Sequence, residues 1–178
     1  MIRHKRVQSQ DDILFPFAWD LYESSFPQIE RRTKDYHIET MGKGAFHADV
    51  ILEDDEPIGI LFWWELSDFR FIEHFATSPI KRGNGYGNKI LQEFIDRNNK
   101  PILLEVEHPE DEITRRRIGF YQRIGFTLND HPYNHPSYQQ IQGEVVNLMI
   151  MTHPKAIDSN ELQRFVDLEF PKIHFRNF

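Results

Sequence analysis

Three glycines spaced two residues apart form the part of this sequence best suited to bind a ligand. They are Gly83, Gly85 and Gly87, within the stretch RGNGYG at residues 82–87. A glycine has no Cβ, so backbone N–H groups can approach an anion closely, and a helix starting there adds N–H groups without intrahelical partners. The predicted chemistry is backbone binding of a phosphate or pyrophosphate. The alternative is a plain strand-to-helix turn that happens to contain glycines.

Two better-known phosphate-binding motifs do not fit this turn. A Rossmann motif needs its third glycine three residues after the second, whereas Gly87 follows Gly85 by two. A P-loop needs a Gly-Lys-Ser/Thr sequence, which the turn lacks. Lys81 and Arg82 add local positive charge, which suits a ligand that carries several phosphates.

The pattern around the turn predicts a β-α-β unit. Residues 70–77 have strand character, residues 85–98 have helical character, and the short apolar run at 102–106 predicts a buried strand. The other predicted elements are an edge strand at 2–7, helices at 13–26 and 29–41, strands at 45–53 and 57–66, a helix at 111–124, strands at 126–128 and 145–151, and a terminal helix at 161–170. Ile13 and Ile113 are predicted to lie on the apolar faces of their helices.

Charge and composition narrow the class of protein. Lys and Arg total 21 against 28 Asp and Glu, and the net charge of −7 argues against a general binder of nucleic acid or anionic membranes. Cysteine is absent, which excludes disulfides and thiol catalysis. No run approaches the roughly 20 apolar residues that span a bilayer, and the N-terminal stretch lacks the apolar core of a signal peptide. We therefore expect a soluble, cytoplasmic protein.

The turn and a second motif together resemble the GNAT superfamily of acetyltransferases. Residues 82–87 match the family's Q/R-x-x-G-x-G/A signature, after a strand that carries Ala-Thr-Ser-Pro at 76–79 and before a helix. The stretch IGFYQRIGF at 118–126 is similar to the family's aromatic pair near a helix end, followed by Gly-Phe entering a strand. The resemblance covers about residues 45–151. It implies an acetyl-CoA-dependent N-acetyltransferase with an α/β (α+β) fold, a mixed, mostly antiparallel central sheet flanked by helices.

A chain of 178 residues with 39% apolar residues is long enough to bury one core, and we predict a single domain over residues 1–178. Within it we expect a helical, substrate-facing lobe at 1–44, a core at 45–151, and a C-terminal helix and tail at 152–178. In the family the glycine turn holds the pyrophosphate of coenzyme A, and the preceding strand runs beside the pantetheine arm. The cofactor-binding residues implied here are Phe75, Ala76, Thr77, Arg82, Gly83, Asn84, Gly85, Tyr86, Gly87 and Asn88.

The resemblance also implies catalytic residues. Tyr121 matches the family tyrosine that acts as general acid toward the coenzyme A sulfur, and its alternative role is a core aromatic. The family places its base variably, often on or near the strand before the turn. On that strand Glu73 lies between Phe71 and Phe75 on one face, a setting expected to raise its pKa toward the range of a general base. We predict Glu73 as the base and His74 as the second choice; plain edge residues are the alternative.

The acetyl acceptor is the part of the predicted function that the sequence determines least. Glu105 and Glu107 share a strand face and are predicted either to line the acceptor site or to be solvated charges. Together with the acidic balance they favour a small-molecule primary amine. The alternatives are a protein N-terminal or lysine acetyltransferase and a non-catalytic acyl-CoA-binding or regulatory module. The histidines lack ligand spacing, so no metal is predicted.

Two adjacent tryptophans, Trp63 and Trp64, put one indole on each face of the sheet. One indole is predicted to lie in the core and the other toward the cleft. A homodimer formed through an exposed tryptophan or the Phe-rich tail is left open.

The chain departs from a common family pattern in the helix 111–124. Some family members carry an Asn and a small Ala ahead of the aromatic pair, where this chain has Thr114 and Arg117.

Overall fold

The chain divides into two compact units. A computed structural model describes residues 1–136, 138, 145–169, 171 and 173. The first unit comprises Met1–Glu65 and Ile72–Asn99, and the second comprises Leu66–Phe71 and Lys100–Phe178. These units group the residues differently from the predicted lobe, core and C-terminal segment, and that predicted division stays a prediction.

The first unit is a sheet with helices packed on it. Its elements are, in chain order, β1 (Ile2–Val7), α1 (Phe15–Ser25), a 3₁₀ turn (Gln28–Glu30), α2 (Lys34–Met41), β2 (Phe46–Glu53), β3 (Glu56–Glu65), β4 (Arg70–Thr77, of which this unit holds Ile72 onward), a 3₁₀ turn (Pro79–Lys81) and α3 (Tyr86–Asp96). The strands are hydrogen-bonded in the order β1-β2-β3-β4, and β2 is antiparallel to both β1 and β3. The predicted hairpin between β2 and β3 is thereby confirmed. Its tight turn places Asp54 and Asp55 at positive φ, which aspartate tolerates better than most residues.

Alternation along β3 gives this sheet two buried faces. Phe62 lies on one face with Trp64, and its ring centroid is 5.3 Å from that of Tyr22 in α1. Trp63 lies on the opposite face, edge to face with Phe94 of α3 at 5.0 Å. The prediction of one indole on each face is confirmed. The expectation that one would line a cleft is wrong, because Trp63 is 7% exposed and Trp64 is 1% exposed.

Gly59 in β3 is where the backbone of β4 comes closest to β3. An added Cβ would lie 2.8 Å from the carbonyl oxygen of Ala76 and 3.4 Å from the Cα of Thr77. We expect Gly59→Ala to displace β4 at these two residues and to lower the free energy of unfolding by about 1–3 kcal/mol. Urea denaturation measures the loss. Gly44→Ala is the control, since its Cβ would meet nothing within 4 Å; equal losses in both variants would contradict the steric argument.

The second unit is built around one long strand. Besides Leu66–Phe71 it contains β5 (Ile102–Glu107), α4 (Glu112–Ile124), β6 (Thr127–Asn129), β7 (Asn134–Pro136), β8 (Val145–His153), α5 (Ser159–Arg164) and a π-helical turn (Phe165–Glu169). β8 pairs antiparallel with β5, β6 and β7. β7 was not predicted, because its residues fall within a segment that reads as a polar loop. Residues 137 and 139–144 of that loop, and most of the predicted C-terminal tail, lie outside the described residues.

The ends of α4 follow directly from its sequence. The Asp111 carboxylate accepts a hydrogen bond from the Thr114 backbone N–H at 2.7 Å, and the Thr114 hydroxyl oxygen accepts one from the Asp111 N–H at 3.1 Å. This capping box explains why Thr114 is suitable here. Gly125 ends the helix at a φ of 105°, as predicted.

Two apolar residues do not lie where helical spacing predicts. Ile113 is 68% exposed, and Ile13 is 86% exposed and precedes α1. The backbone at Ile13 is in a turn, since the Asp12 carboxylate accepts the Leu14 N–H at 2.9 Å, and the helical period therefore begins later. Among the described residues, no helix is long and apolar enough to cross a membrane.

Candidate cofactor and catalytic residues

The glycine turn joins β4 to α3 through conformations that glycine adopts most readily. Gly83 has a φ of 79° and Gly85 a φ of 77°, both in the left-handed region. A Cβ added at either position would meet no atom of the described residues within 4 Å. Backbone conformation therefore requires the two glycines, and the space beside them is open to a ligand.

Helix α3 begins at this turn without a side-chain cap. Gly85 is its N-cap residue, and no side chain of the described residues forms a cap hydrogen bond there. The N–H groups of Tyr86, Gly87 and Asn88 have no acceptor within the helix. Residues 82–85 and Asn88 are exposed, and Tyr86 and Gly87 are partly exposed. An uncapped, exposed helix N-terminus carries a partial positive charge and suits an anionic group such as a pyrophosphate.

Lys81 and Arg82, the two cations beside the turn, differ in the contacts that they make within the protein. Lys81 Nζ donates to a Glu56 carboxylate oxygen at 2.8 Å, and this hydrogen bond raises the pKa of Lys81. Arg82 is exposed, and its Nε donates to the Thr77 carbonyl at 3.3 Å. The positive charge expected of Lys81 is thus partly offset by Glu56.

Two other side chains tie the turn to its surroundings. The Tyr86 hydroxyl donates to the Glu53 carboxylate at the end of β2, and this hydrogen bond raises the pKa of Tyr86. The Asn84 side-chain amide donates to the carbonyls of Lys81 and Arg82, at 3.3 Å each. Both groups are donors in these contacts, so neither of them caps the backbone N–H groups at the start of α3.

Strand β4 leads into the turn with alternating exposure. Glu73, Phe75 and Thr77 are partly exposed, whereas His74 and Ala76 are buried. This alternation does not separate Glu73 from His74 as strand geometry predicts, because both side chains contact the segment Glu30–Arg32. The proposed use of the Phe75–Thr77 backbone as a contact for the cofactor stays a prediction.

Glu73 does not have the environment predicted for it. Its side chain is 0% exposed, so the partial exposure of the residue lies in its backbone. Its two carboxylate oxygens accept hydrogen bonds from the Arg32 guanidinium at 2.7 and 2.5 Å. Burial alone raises the pKa of Glu73, but the charge and the two hydrogen bonds of the Arg32 guanidinium outweigh it, so the pKa lies well below its usual value. The prediction of a raised pKa is wrong.

Arg32 is a buried charged residue that the sequence did not reveal. The stretch 29–41 reads as an exposed helix, yet Arg32 is 1% exposed and precedes α2. Its guanidinium carbon lies 5.5 Å from the ring centroids of Tyr36 and Phe46 and 5.8 Å from that of Trp64. No local pattern reveals this site, because two of the three rings come from strands that follow in the chain.

Tyr121 lies on α4 in the second unit, and its ring packs beside Phe126. It is 8% exposed, and its ring centroid is 5.7 Å from that of Phe126. Burial raises the pKa of Tyr121 to about 12; the charge of Arg117 lowers it and that of Glu107 raises it. Among the described residues, no group forms a hydrogen bond with the hydroxyl. The phenol is therefore protonated at neutral pH and has a proton to donate.

The two carboxylates of β5, those of Glu105 and Glu107, both have partners within the protein. Glu105 accepts a hydrogen bond from the Tyr133 hydroxyl, and its other oxygen lies 3.6 Å from Nε2 of His135. Glu107 forms an ion pair with Arg117. Neither is a bare charge facing solvent, so their predicted attraction for a cationic amine is weaker than the sequence suggests. Within the described ranges, no group of three or more metal-ligating side chains could hold a metal ion.

Comparisons with known proteins agree on one family. The family model described as the acetyltransferase (GNAT) domain matches residues 45–128. A Bacillus subtilis protein named "Putative acetyltransferase YjbC" is 34% identical over 105 residues. That match covers 58% of this chain and 53% of the relative, so it spans about half of the relative's length.

Solved structures extend the match to nearly the whole chain. A structure from Bacteroides thetaiotaomicron, titled "Putative acetyltransferase from GNAT family", is 33% identical with a TM-score of 0.85, and the match covers 96% of this chain and 97% of that one. A GNAT family acetyltransferase from Elizabethkingia anophelis, solved with acetyl-CoA bound, shares the fold at 14% identity and a TM-score of 0.56, covering 85% and 95%. The fold is that of an acetyltransferase domain. The chain belongs to the GNAT family. The predicted family and fold class, a mostly antiparallel sheet flanked by helices, are confirmed.

Proposed function

We propose that this protein is an acetyl-CoA-dependent N-acetyltransferase that acts on a primary amine. The observation that carries the proposal is the glycine turn, where Gly83 and Gly85 leave the uncapped N-terminus of α3 exposed beside open space. In a chain of this family, that turn is suited to the pyrophosphate of coenzyme A. Arg82 stands next to it with an exposed guanidinium.

The reaction forms a bond between the amine nitrogen and the acetyl carbonyl carbon, and it breaks the carbon–sulfur bond of the thioester. The nitrogen attacks as a neutral amine, and its surplus proton then passes to solvent. The departing thiolate needs a proton or a hydrogen bond. We assign this donor role to Tyr121, because its phenol is protonated at neutral pH and makes no hydrogen bond to the described residues.

The acceptor that we propose is a small-molecule amine. The net charge of −7 favours a cation over an acidic partner. A protein N-terminus or lysine is the second candidate, and the two differ in size and not in chemistry. An acceptor panel that contains polyamines, amino-acid amines and short peptides with free N-termini distinguishes them.

Two measurements test the proposed function. Acetyl-CoA at about 100 times its dissociation constant should stabilise the protein by roughly 2.7 kcal/mol, seen as a rise in Tm. Free thiol release during the acceptor panel then reports turnover. A rise in Tm without thiol release would indicate a non-catalytic acyl-CoA-binding module. No rise in Tm would contradict the proposal altogether.

Asn88→Asp tests where the pyrophosphate binds. A carboxylate in the first turn of α3 interacts favourably with the helix dipole, so the free protein should keep its stability or gain a few tenths of a kcal/mol. The same charge repels a pyrophosphate at that helix end. We expect coenzyme A to bind about 10-fold more weakly or worse, a loss of about 1.4 kcal/mol, measured by isothermal titration calorimetry.

The matched control for this variant is Asn99→Asp. Asn99 is exposed and lies beyond the C-terminal end of the same helix, so the substitution adds the same charge away from the turn. We expect its coenzyme A affinity to stay within about twofold of wild type, since an exposed charge more than a Debye length away is screened. Equal losses in the two variants would mean that net charge, and not the helix N-terminus, controls binding.

A further inference from the structure

The ion pair between Arg32 and Glu73 is enclosed on all sides. Both side chains are 0% exposed, and the contact is bidentate. The backbone N–H of Arg32 donates to the Tyr22 hydroxyl at 2.9 Å, so α1 also holds this residue. The pair joins positions 41 residues apart in the chain.

A second contact lies directly beside the ion pair. Nε2 of His74 is 2.8 Å from the Glu30 carbonyl oxygen, to which it donates, and its Nδ1 is 3.8 Å from a Glu73 oxygen. Two successive residues of β4 therefore hold the segment Glu30–Arg32, which links α1 to α2. Because both side chains contact this one segment, a shift of the segment along β4 would break both contacts together.

These contacts remove the physical basis for Glu73 as the general base. A base must reach the proton that it removes, and it must gain that proton near the working pH. The carboxylate of Glu73 has no exposed surface, and the Arg32 charge strongly favours its ionised form. Protonating it would leave the buried Arg32 guanidinium without its counter-charge.

Stability alone does not account for such a pair. The desolvation of two buried charges largely cancels their attraction, so well-packed apolar residues of similar volume often serve stability as well or better. What a bidentate pair adds is geometry, because only one arrangement of the guanidinium and carboxylate planes forms both hydrogen bonds. The geometry fixed here is that of β4, two residues before Phe75–Thr77 and the glycine turn.

We propose that Arg32 and Glu73 are positioning residues that clamp the link between α1 and α2 to the cofactor strand β4. The clamp holds the β4 backbone in the orientation that coenzyme A binding requires, and it couples that strand to the segment leading into α2. The role in cofactor binding rests on the proposed function. The clamping itself does not, since it concerns contacts within the free protein.

The test compares single variants with a variant in which both charges are removed. Arg32→Met and Glu73→Gln each leave one buried charge unpaired, and we expect each to lower Tm by roughly 10 °C. The double variant Arg32→Met/Glu73→Leu leaves no unpaired charge, and we expect it to regain most of that loss. Glu23→Gln is the matched control, because Glu23 pairs with Arg31 at 3.1 Å but is 55% exposed; its Tm should stay within about 2 °C of wild type.

The decisive measurements are made on the double variant after its stability is recovered. We expect amide hydrogen exchange in residues 28–33 and 72–77 to be at least 10-fold faster than in wild type, and the Kd for coenzyme A to rise at least 10-fold. Wild-type exchange and affinity in the stable double variant would overturn the proposal. So would a Glu73→Gln variant that keeps its Tm and coenzyme A affinity but loses turnover, which is the behaviour of a base.

A conservative variant covers the case in which the double variant fails to fold. Arg32→Lys keeps the charge but loses the bidentate geometry, and we expect the same faster exchange in residues 28–33 and 72–77 with a smaller loss of Tm. Wild-type exchange in this variant would contradict the clamp. Hydrogen exchange needs no ligand, so a failure of coenzyme A to bind the wild-type protein would refute the proposed function and leave the clamp to be judged on exchange alone.

Discussion

The Tyr121→Phe variant is expected to release thiol from acetyl-CoA at least about 100-fold more slowly than wild type. This corresponds to about 2.7 kcal/mol of lost transition-state stabilisation, a typical contribution of one general acid. The substitution removes only a hydroxyl, and that hydroxyl makes no hydrogen bond to the described residues. The ring and its contact with Phe126 remain. Steady-state kinetics with the best acceptor from the panel measures the loss.

The same variant provides its own control for folding and binding. Because no protein hydrogen bond is lost, we expect the Tm and the Kd for coenzyme A to stay close to their wild-type values. An unchanged turnover would remove Tyr121 from the mechanism. A loss of turnover accompanied by an equal loss of coenzyme A affinity would indicate packing against the ligand, and not proton donation.

Acidification from pH 6.5 to 4.5 is expected to cost the protein about 2 kcal/mol of unfolding free energy through His37 alone. His37 is 1% exposed, with the rings of Tyr22 and Phe62 at 5.3 and 5.0 Å. Burial lowers the pKa of His37 from 6.5 to about 3; the Arg32 and His74 charges lower it further, and Glu73 opposes them. The unfolded chain therefore takes up a proton as the pH falls below 6.5 and the folded protein does not, which favours unfolding.

The variant His37→Phe isolates this contribution. A phenyl ring suits the aromatic surroundings and removes Nδ1, which has no hydrogen-bond partner among the described residues. We expect the difference in stability between wild type and variant to shift by about 2 kcal/mol across this pH range, measured by urea denaturation at each pH. Glu73 interferes little, because its pKa is lowered from the usual 4.5 and its own loss of stability falls mainly below that pH. A parallel pH dependence in both proteins would show that His37 titrates normally in the folded state.

Several features of this protein could be predicted from the sequence because they depend only on neighbouring residues. The left-handed conformations of Gly83 and Gly85 require glycine, so the turn is visible as spacing. The capping box of Asp111 and Thr114 and the stop at Gly125 mark the ends of α4 in the same way. The family signature extended these local predictions to the cofactor and to the whole fold class.

Other predictions failed where a residue's surroundings come from distant parts of the chain. Helical spacing placed Ile113 on the apolar face of α4, yet it is 68% exposed, because the sequence period does not specify which side of a short helix meets the sheet. Glu105 reads as a charge at a strand end, but Tyr133 donates to it from 28 residues further along. β7 was missed because three residues carry too little pattern to be read as a strand.

The sequence by itself determined the glycine turn, the elements on either side of it, and the family to which they belong, because each depends on spacing within a few residues. Only the tertiary structure decided the state of Glu73. Strand alternation predicted that it lies between two aromatic residues and has a raised pKa. Folding brings the Arg32 guanidinium from 41 residues away to within 2.7 Å of that carboxylate, and an opposite charge at that distance outweighs desolvation. The residue that the sequence presented as a base is the buried anion of an ion pair.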